Sequence, residues 1–271
     1  MTRSVTHAQF GGQTTDDRYA TALTSFLFQA ADDELVMGHR ESEWLGMAPE
    51  IEEDVAFGSI SQDEVGHALF YYNLLSGLTG ESVELLAYER PHDVRRNAVL
   101  VERGNGDWAF TVVRHFFYDE FDHLRLTALT HSSYEPLRQG AAKMLREEYY
   151  HRLHARTWFT RLAQAGGEAK ERIERAVAAQ WPDLPELFMF GEAEQDLLAN
   201  GIITLSSSQI SQTWYEDVSK VMQEAGLIVL AAPWLGEQNN AFEARAVHTD
   251  ALNELLGTLS EVYNLDRTAV W

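Results

Sequence analysis

The sequence predicts an all-α protein built around a four-helix bundle with a long crossover, and three observations lead to this prediction. Four long segments carry apolar residues at alternating spacings of three and four. Acidic residues and histidines recur within these apolar stripes. The connections between consecutive segments are short, long and short. A chain of 271 residues, 45% of them hydrophobic, can bury the core that such a bundle needs.

The first two segments form one predicted antiparallel hairpin. Helices are expected over about residues 16–45 and about residues 50–78. Pro49 precedes an acidic run, and negative charge near a helix N-terminus interacts favourably with the helix dipole. Gly80 provides a stop signal after the second helix. A short connection requires the two helices to run antiparallel.

The next two segments form a second hairpin of the same kind. Helices are expected over about residues 107–130 and about residues 135–165, with Asp107 as the N-cap of the first. Residues 79–106 separate the two hairpins, so the chain needs a long crossover, which is expected to be irregular around Pro91. Two antiparallel hairpins joined in this way predict the ferritin-like topology rather than a simple up-down bundle.

The rest of the chain is expected to form a helical extension of the same domain. Further helices are predicted over about residues 168–180, 208–226 and 249–264. We therefore expect one ferritin-like domain over residues 1–271. It consists of a core bundle over about residues 16–165 and an extension over about residues 168–271.

The composition excludes several classes of site and partner. The chain has no cysteine, so any metal must be held by oxygen and imidazole rather than thiolate. A formal charge of -21 repels nucleic-acid phosphates and anionic lipid, so neither is an expected partner. Residues 1–13 lack the apolar region of a signal peptide, and no apolar run reaches the length of a membrane span. These features predict a cytoplasmic protein.

Each hairpin offers the same set of metal-binding side chains. One helix carries a single carboxylate, and its partner carries Glu-x-x-His, whose two ligands share a helix face. The six candidate metal ligands are Glu34, Glu64, His67, Asp119, Glu148 and His151. The two carboxylate-to-glutamate separations are nearly equal, which places the sets at matching heights in the bundle.

Glu-x-x-His alone is a weak signal, because about one occurrence is expected by chance in a chain of this composition and four occur. Position in the helix discriminates among them. The Glu89 to His92 copy contains Pro91, so it is not expected on a continuous helix. In the copy that ends at His123, Glu120 lies off the apolar stripe. Only the copies that begin at Glu64 and Glu148 lie entirely on their stripes.

Burial of four uncompensated carboxylates would cost several kcal/mol for each ion, and two divalent cations would neutralise them. Donor sets of carboxylate and imidazole suit two iron ions, with manganese or zinc as alternatives. The alternative interpretation is that these residues are ordinary interhelical polar pairs, or that they are exposed. Three nearby tyrosines are candidates either for hydrogen bonding around the site or for core packing: Tyr71, Tyr149 and Tyr150.

The metal motifs of the phenylacetyl-CoA epoxidase (ring 1,2-epoxidase) family resemble two segments of this chain, ISQDEVGHALFYY at residues 60–72 and EEYYH at residues 147–151. That family has two related ferritin-like components, one of A type that is catalytic and holds a di-iron site, and one of C type described as structural. Four segments resemble the C-type component, namely ESEW at 41–44, APE at 48–50, NG at 105–106 and the ending at 248–271.

The resemblance implies a C-type component that pairs with an A-type catalytic subunit, and the chain by itself is expected to form a homo-oligomer. The complex would epoxidise the ring of phenylacetyl-CoA with dioxygen and with electrons from a separate reductase. C-type components commonly lack several ligands, whereas every ligand position of the A-type pattern is filled here. Three alternatives stay open: a scaffold whose site is vestigial or binds metal only structurally, an independent di-iron oxygenase or oxidase, and iron storage.

Overall fold

The computed structural model describes residues 15–235, 245–267 and 269, and within these ranges the regular secondary structure is helical. The α-helices are α1 Thr15–Ser42, α2 Ile51–Thr79, α3 Val99–Glu102, α4 Trp108–Leu129, α5 Glu135–Gln164, α6 Gly167–Gln180, α7 Glu194–Ala199, α8 Ser207–Glu224, α9 Asp250–Leu259 and α10 Glu261–Leu265. Over the part of the chain described, no helix is long and apolar enough to cross a membrane.

The four long helices form the two predicted hairpins. α1 packs along α2, α4 packs along α5, and contacts between α2 and α5 bring the hairpins together. The all-α ferritin-like prediction is confirmed, and the long helices lie within a few residues of their predicted bounds. The predicted final helix is instead two helices, because α9 ends at Leu259 and α10 begins at Glu261.

Two of the predicted helix signals are seen in the structure. Asp107 is the N-cap of α4, and its carboxylate accepts a hydrogen bond of 2.9 Å from the backbone N–H of Phe110. Gly80 ends α2 with a φ of 78°, and its N–H donates to the Ser76 carbonyl over 2.9 Å. A left-handed conformation of this kind is accessible to glycine at little cost.

The crossover between the hairpins is irregular, as predicted, and it is fixed to α1 by buried acids. It contains a π-helix at Leu85–Glu89, a 3-10 turn at His92–Val94 and the short helix α3. Asp32 accepts hydrogen bonds from Arg90 over 2.7 Å and from Arg95 over 3.2 Å. Because buried carboxylates need compensating donors, these contacts determine the path of the crossover.

The C-terminal part of the chain packs against the bundle. α6 and α8 contact α4, and Trp214 on α8 donates its indole N–H to the Phe117 carbonyl over 3.0 Å. Arg245 donates to Asp33 over 2.5 Å, and His248 Nδ1 lies 2.8 Å from Glu102 Oε2. Apolar side chains of these helices continue the hydrophobic core of the bundle.

Gly38 allows α1 and α2 to approach closely beside one of the candidate ligands. A Cβ atom at this position would lie 3.0 Å from the Glu64 Cβ and 3.1 Å from the Ser61 carbonyl oxygen. The Ser61 hydroxyl donates to the Gly38 carbonyl over 3.0 Å, which fixes the two helices at this height. The neighbouring atoms include helix backbone, which cannot move as freely as a side chain.

We expect Gly38→Ala to lower the free energy of unfolding by about 1–3 kcal/mol, because overpacking forces α1 away from α2. The matched control is Gly77→Ala in the exposed last turns of α2, where nothing lies within 4 Å of the added Cβ. That control should gain about 0.5–1 kcal/mol from helix propensity. Urea unfolding measures both, and a Gly38→Ala protein as stable as Gly77→Ala would contradict the close-approach interpretation.

Candidate metal centre

The six candidate ligands come from the four long helices, and all of them are buried. Each side chain is 2% exposed or less, so the alternative that they face solvent is excluded. α1 and α4 each contribute one acid, and α2 and α5 each contribute a glutamate and a histidine one turn later. Spacings of three residues place each such pair on one helix face.

The structure brings five of these residues together in two groups that share Glu64. The first group contains Glu34, Glu64 and His67, and the second contains Glu64, Glu148 and His151. Within each group, one ligand atom from every residue lies within 4.8 Å of the others. Such a spacing allows one cation to be held in each group, with Glu64 between the two positions.

Both histidines direct Nδ1 towards the shared glutamate. His67 Nδ1 lies 3.6 Å from Glu34 Oε2 and 3.7 Å from Glu64 Oε2. His151 Nδ1 lies 3.2 Å from Glu64 Oε1 and 3.3 Å from Glu148 Oε2. Each oxygen of Glu64 therefore faces a different histidine, which is the arrangement of a carboxylate able to bridge two cations.

The outer nitrogen of each histidine faces an acid on the opposite helix, and sequence reasoning missed both acids. His67 Nε2 lies 3.1 Å from Glu147 Oε2, and His151 Nε2 lies 3.3 Å from Asp63 Oδ2. Carboxylates placed behind metal-binding histidines fix the ring orientation and the tautomer. A signal was available, since an acid directly precedes each of the two motif glutamates.

Asp119 belongs to neither group, although it is close enough to interact electrostatically with the second. Its Oδ1 atom lies 3.3 Å from His115 Nδ1. Burial, followed by the negative charge of Glu148, raises the pKa of Asp119 well above its ordinary value. Its role as a ligand stays a prediction.

Several buried ligand atoms have no hydrogen-bond partner among the described residues, which suits a cation-binding site. These atoms are one oxygen each of Glu34 and Glu64, both oxygens of Asp119 and Glu148, and Nδ1 of His67. Unpaired buried carboxylate oxygens are costly, and a divalent cation would satisfy them. The donor set therefore fits a metal on chemical grounds.

Without a cation, protons provide the positive charge of the cluster. Burial and the neighbouring Glu64 raise the pKa of Glu34 to about 7, and burial raises that of Glu148 to about 8. Burial opposes ionisation of Glu64, but its interactions with Glu34 and His151 outweigh the effect of burial and lower its pKa to about 2. Burial also disfavours protonated His67, yet its contacts with Glu34 and Glu64 raise its pKa to about 12. Metal binding must therefore displace protons.

Arg125 on α4 is a second feature that sequence reasoning missed. It is 2% exposed, and its guanidinium hydrogen-bonds to Glu34 Oε1. It also donates to Asp122 over 2.6 Å and to Asp33 over 3.3 Å. The phenol of Tyr118 donates to the same Glu34 oxygen over 3.2 Å. The Asp-x-x-Arg spacing within an otherwise apolar helix was the available signal.

A further row of buried polar residues extends from Asp119 towards the turn between α1 and α2. His115 Nδ1 lies 2.9 Å from Glu41 Oε1, and His154 Nε2 lies 2.6 Å from Glu53 Oε2. Burial lowers the pKa of His115 to about 3 and raises that of Glu41 to about 8. The imidazole of His115 and the carboxyl group of Glu41 are therefore both neutral at pH 7.

Of the two tyrosine hypotheses, core packing holds for one of the three residues. Tyr71 is fully buried, which agrees with core packing. Tyr149 and Tyr150 are 60% and 68% exposed, so both interpretations of these two residues are wrong. They follow Glu148 directly, and each step along a helix rotates the side chain by about 100°, which turns them away from the core.

The two rejected Glu-x-x-His copies lie outside the cluster. Glu120 is buried but accepts hydrogen bonds from Arg152 and Arg156 rather than facing the candidate ligands. Glu89 and His92 lie in different short helices of the crossover.

We expect metal-free protein to lose stability as the pH rises from about 5 to about 8, since the pKa values of Glu34 and Glu148 lie above the ordinary value of 4.5. The native state then binds more protons than the unfolded state across this window, so deprotonation favours unfolding. Thermal melts should show a decrease of about 5 °C or more. Glu148→Gln should flatten the profile, and a metal-free protein that becomes more stable over the same window would contradict the assignment.

The chain is similar to two components of one enzyme from Escherichia coli (strain K12), 1,2-phenylacetyl-CoA epoxidase. It is 30% identical to the C subunit of that enzyme over 241 residues, which cover 88% of this chain and 94% of the relative. It is 26% identical to the A subunit of the same enzyme over 176 residues, which cover 65% of this chain and 56% of the relative. A family model described as "Phenylacetic acid catabolic protein" matches residues 9–271. The chain therefore belongs to the phenylacetic acid catabolic protein family.

Proposed function

We propose that this chain is the C-type component of a phenylacetyl-CoA 1,2-epoxidase and that it pairs with an A-type catalytic subunit. The observation that carries the proposal is the similarity to two components of one enzyme, in which the match spans 94% of the C-type relative and 56% of the A-type relative. Two related helical bundles can bury matching helix faces against each other. The complex would act on phenylacetyl-CoA and receive electrons from a separate reductase.

The buried cluster supports a metal-holding role for this component. Its unpaired carboxylate oxygens and inward-facing histidine nitrogens form an oxygen and imidazole donor set. Iron bound there would supply dioxygen activation, and manganese or zinc are alternative occupants. In this role, Asp63 and Glu147 orient the two histidines, and the surrounding apolar core excludes bulk water.

A second candidate function is a scaffold in which the cluster is vestigial or binds metal only for structure. The hydrogen bond from Arg125 to Glu34 favours it, because a guanidinium already compensates one of the buried acids. The two candidates share the same partner and differ only in whether the cluster is needed for epoxidation.

We expect the chain and an A-type partner to elute as one complex in size-exclusion chromatography at micromolar concentration. Each protein run alone is the control, and this chain alone should elute as a homo-oligomer. Two separate peaks from the mixture would contradict the proposed pairing. Reconstituted epoxidation with Glu64→Ala/Glu148→Ala then separates the candidates: loss of activity in an intact complex supports the metal role, and full activity supports the scaffold.

We expect metal loading to raise the melting temperature of the chain by about 5–10 °C, since a cation that binds only the native state stabilises it. Glu64→Ala/Glu148→Ala should abolish metal uptake, because Glu64 is common to both groups. Glu171→Ala/Glu174→Ala on the surface of α6 is the matched control, with the same two substitutions and the same change in formal charge. Equal melting temperatures for chelated and iron-loaded wild type would remove the support for a metal role.

A further inference from the structure

The two halves of the cluster differ in what already neutralises them. In the half that contains Glu34, a permanent cation is hydrogen-bonded to the ligand carboxylate. In the half that contains Glu148, none of the described arginines or lysines forms an ion pair with either Glu148 or Asp119. The two metal positions therefore present different electrostatic potentials to an incoming cation, although each offers two glutamates and one histidine.

Arg125 acts on one oxygen of Glu34 and leaves the other available. The guanidinium and the Tyr118 phenol both donate to Oε1. Oε2 has no hydrogen-bond partner among the described residues and lies 3.6 Å from His67 Nδ1. Glu34 can therefore offer a cation a single oxygen, while its second oxygen stays bound to the arginine.

The guanidinium cannot leave this position cheaply. Arg125 keeps its proton at any physiological pH, and it is held by Asp122 as well as Glu34. Asp33 contributes less to its neutralisation, because Asp33 also accepts a hydrogen bond of 2.5 Å from Arg245. The positive charge thus remains beside the Glu34 position whether or not a metal is bound.

The opposite half has no such competitor. Both oxygens of Glu148 and both oxygens of Asp119 lack hydrogen-bond partners among the described residues. His151 Nδ1 lies within 3.3 Å of both Glu64 and Glu148. A cation entering this half meets carboxylate oxygens that no described arginine or lysine occupies.

We propose that the two metal positions are unequal: the Glu64, Glu148 and His151 position binds a divalent cation first and more tightly, and Arg125 weakens the Glu34, Glu64 and His67 position. The inference rests on the metal-holding role proposed above. Arg125 is a positioning residue here, since it limits Glu34 to one free oxygen and repels the second cation. A chain that has bound only one cation then holds it at the Glu64, Glu148 and His151 position.

The test is anaerobic calorimetric titration of the full chain with Fe²⁺, with bound iron counted by elemental analysis. Wild type should show two steps whose affinities differ by at least about tenfold. His67→Ala should keep the tight step and lose the weak one, and the matched variant His151→Ala should do the reverse. Two equal steps in wild type, or loss of the tight step in His67→Ala, would overturn the proposal.

Asp122→Asn/Arg125→Gln tests the cause of the inequality, since it removes an ion pair without changing the net charge. The affinity of the weak step should rise about tenfold in this variant, and the tight step should change little. An unchanged or larger difference between the steps would show that Arg125 is not responsible. If the variant does not fold, the wild-type and histidine titrations still decide whether the positions are unequal. Two equal steps leave the proposed function intact, whereas no iron uptake by any folded protein removes both the metal role and this inference.

Discussion

Burial of three consecutive acidic residues on α1 is the constraint on which the rest of this structure depends. Asp32, Asp33 and Glu34 are each 0% exposed. Successive residues of a helix point about 100° apart, so the three carboxylates face three different neighbours. Asp32 faces the crossover, Asp33 faces the C-terminal segment at Arg245, and Glu34 faces the candidate metal cluster. One turn of one helix therefore organises three parts of the molecule.

The buried negative charges of these three acids are balanced by different partners, and this difference bears on which acid can bind a metal. Asp32 pairs with two arginines and a tyrosine, which hold its pKa below its ordinary value despite burial. Asp33 has two arginines and the Ala98 N–H, although burial still raises its pKa. Glu34 has only one arginine and keeps one oxygen unpaired. Glu34 is the least compensated of the three acids, and it is the one that lies in the candidate metal cluster. This agrees with the cost of burying charge, because a bound cation would supply the missing compensation.

Local sequence rules were sufficient for the helices and pointed to five residues that the structure brings together, but they did not predict the contacts around those residues. The helix cap at Asp107 and the Glu64 to His67 pair depend on neighbours within one turn, so spacing predicts them. The contacts of Asp63 and Glu147 depend on how α2 and α5 are rotated about their axes, which no single helix encodes. Arg125 was missed for the same reason, since its partner Glu34 lies 91 residues away. The failed hypotheses for Tyr149 and Tyr150 show that nearness in sequence to a ligand does not place a side chain on the ligand's face.

The reciprocal contacts behind the histidines have a consequence for how such a site could originate. The acid that supports His151 lies on α2, and the acid that supports His67 lies on α5, so each hairpin completes the other. A lone hairpin with one carboxylate, one Glu-x-x-His and its preceding acid would hold an unfinished site. Two identical copies related by a twofold axis would complete both sites at once. In the present chain the two hairpins take the place of such copies, and the hydrogen bond from Arg125 to Glu34 is a difference between them.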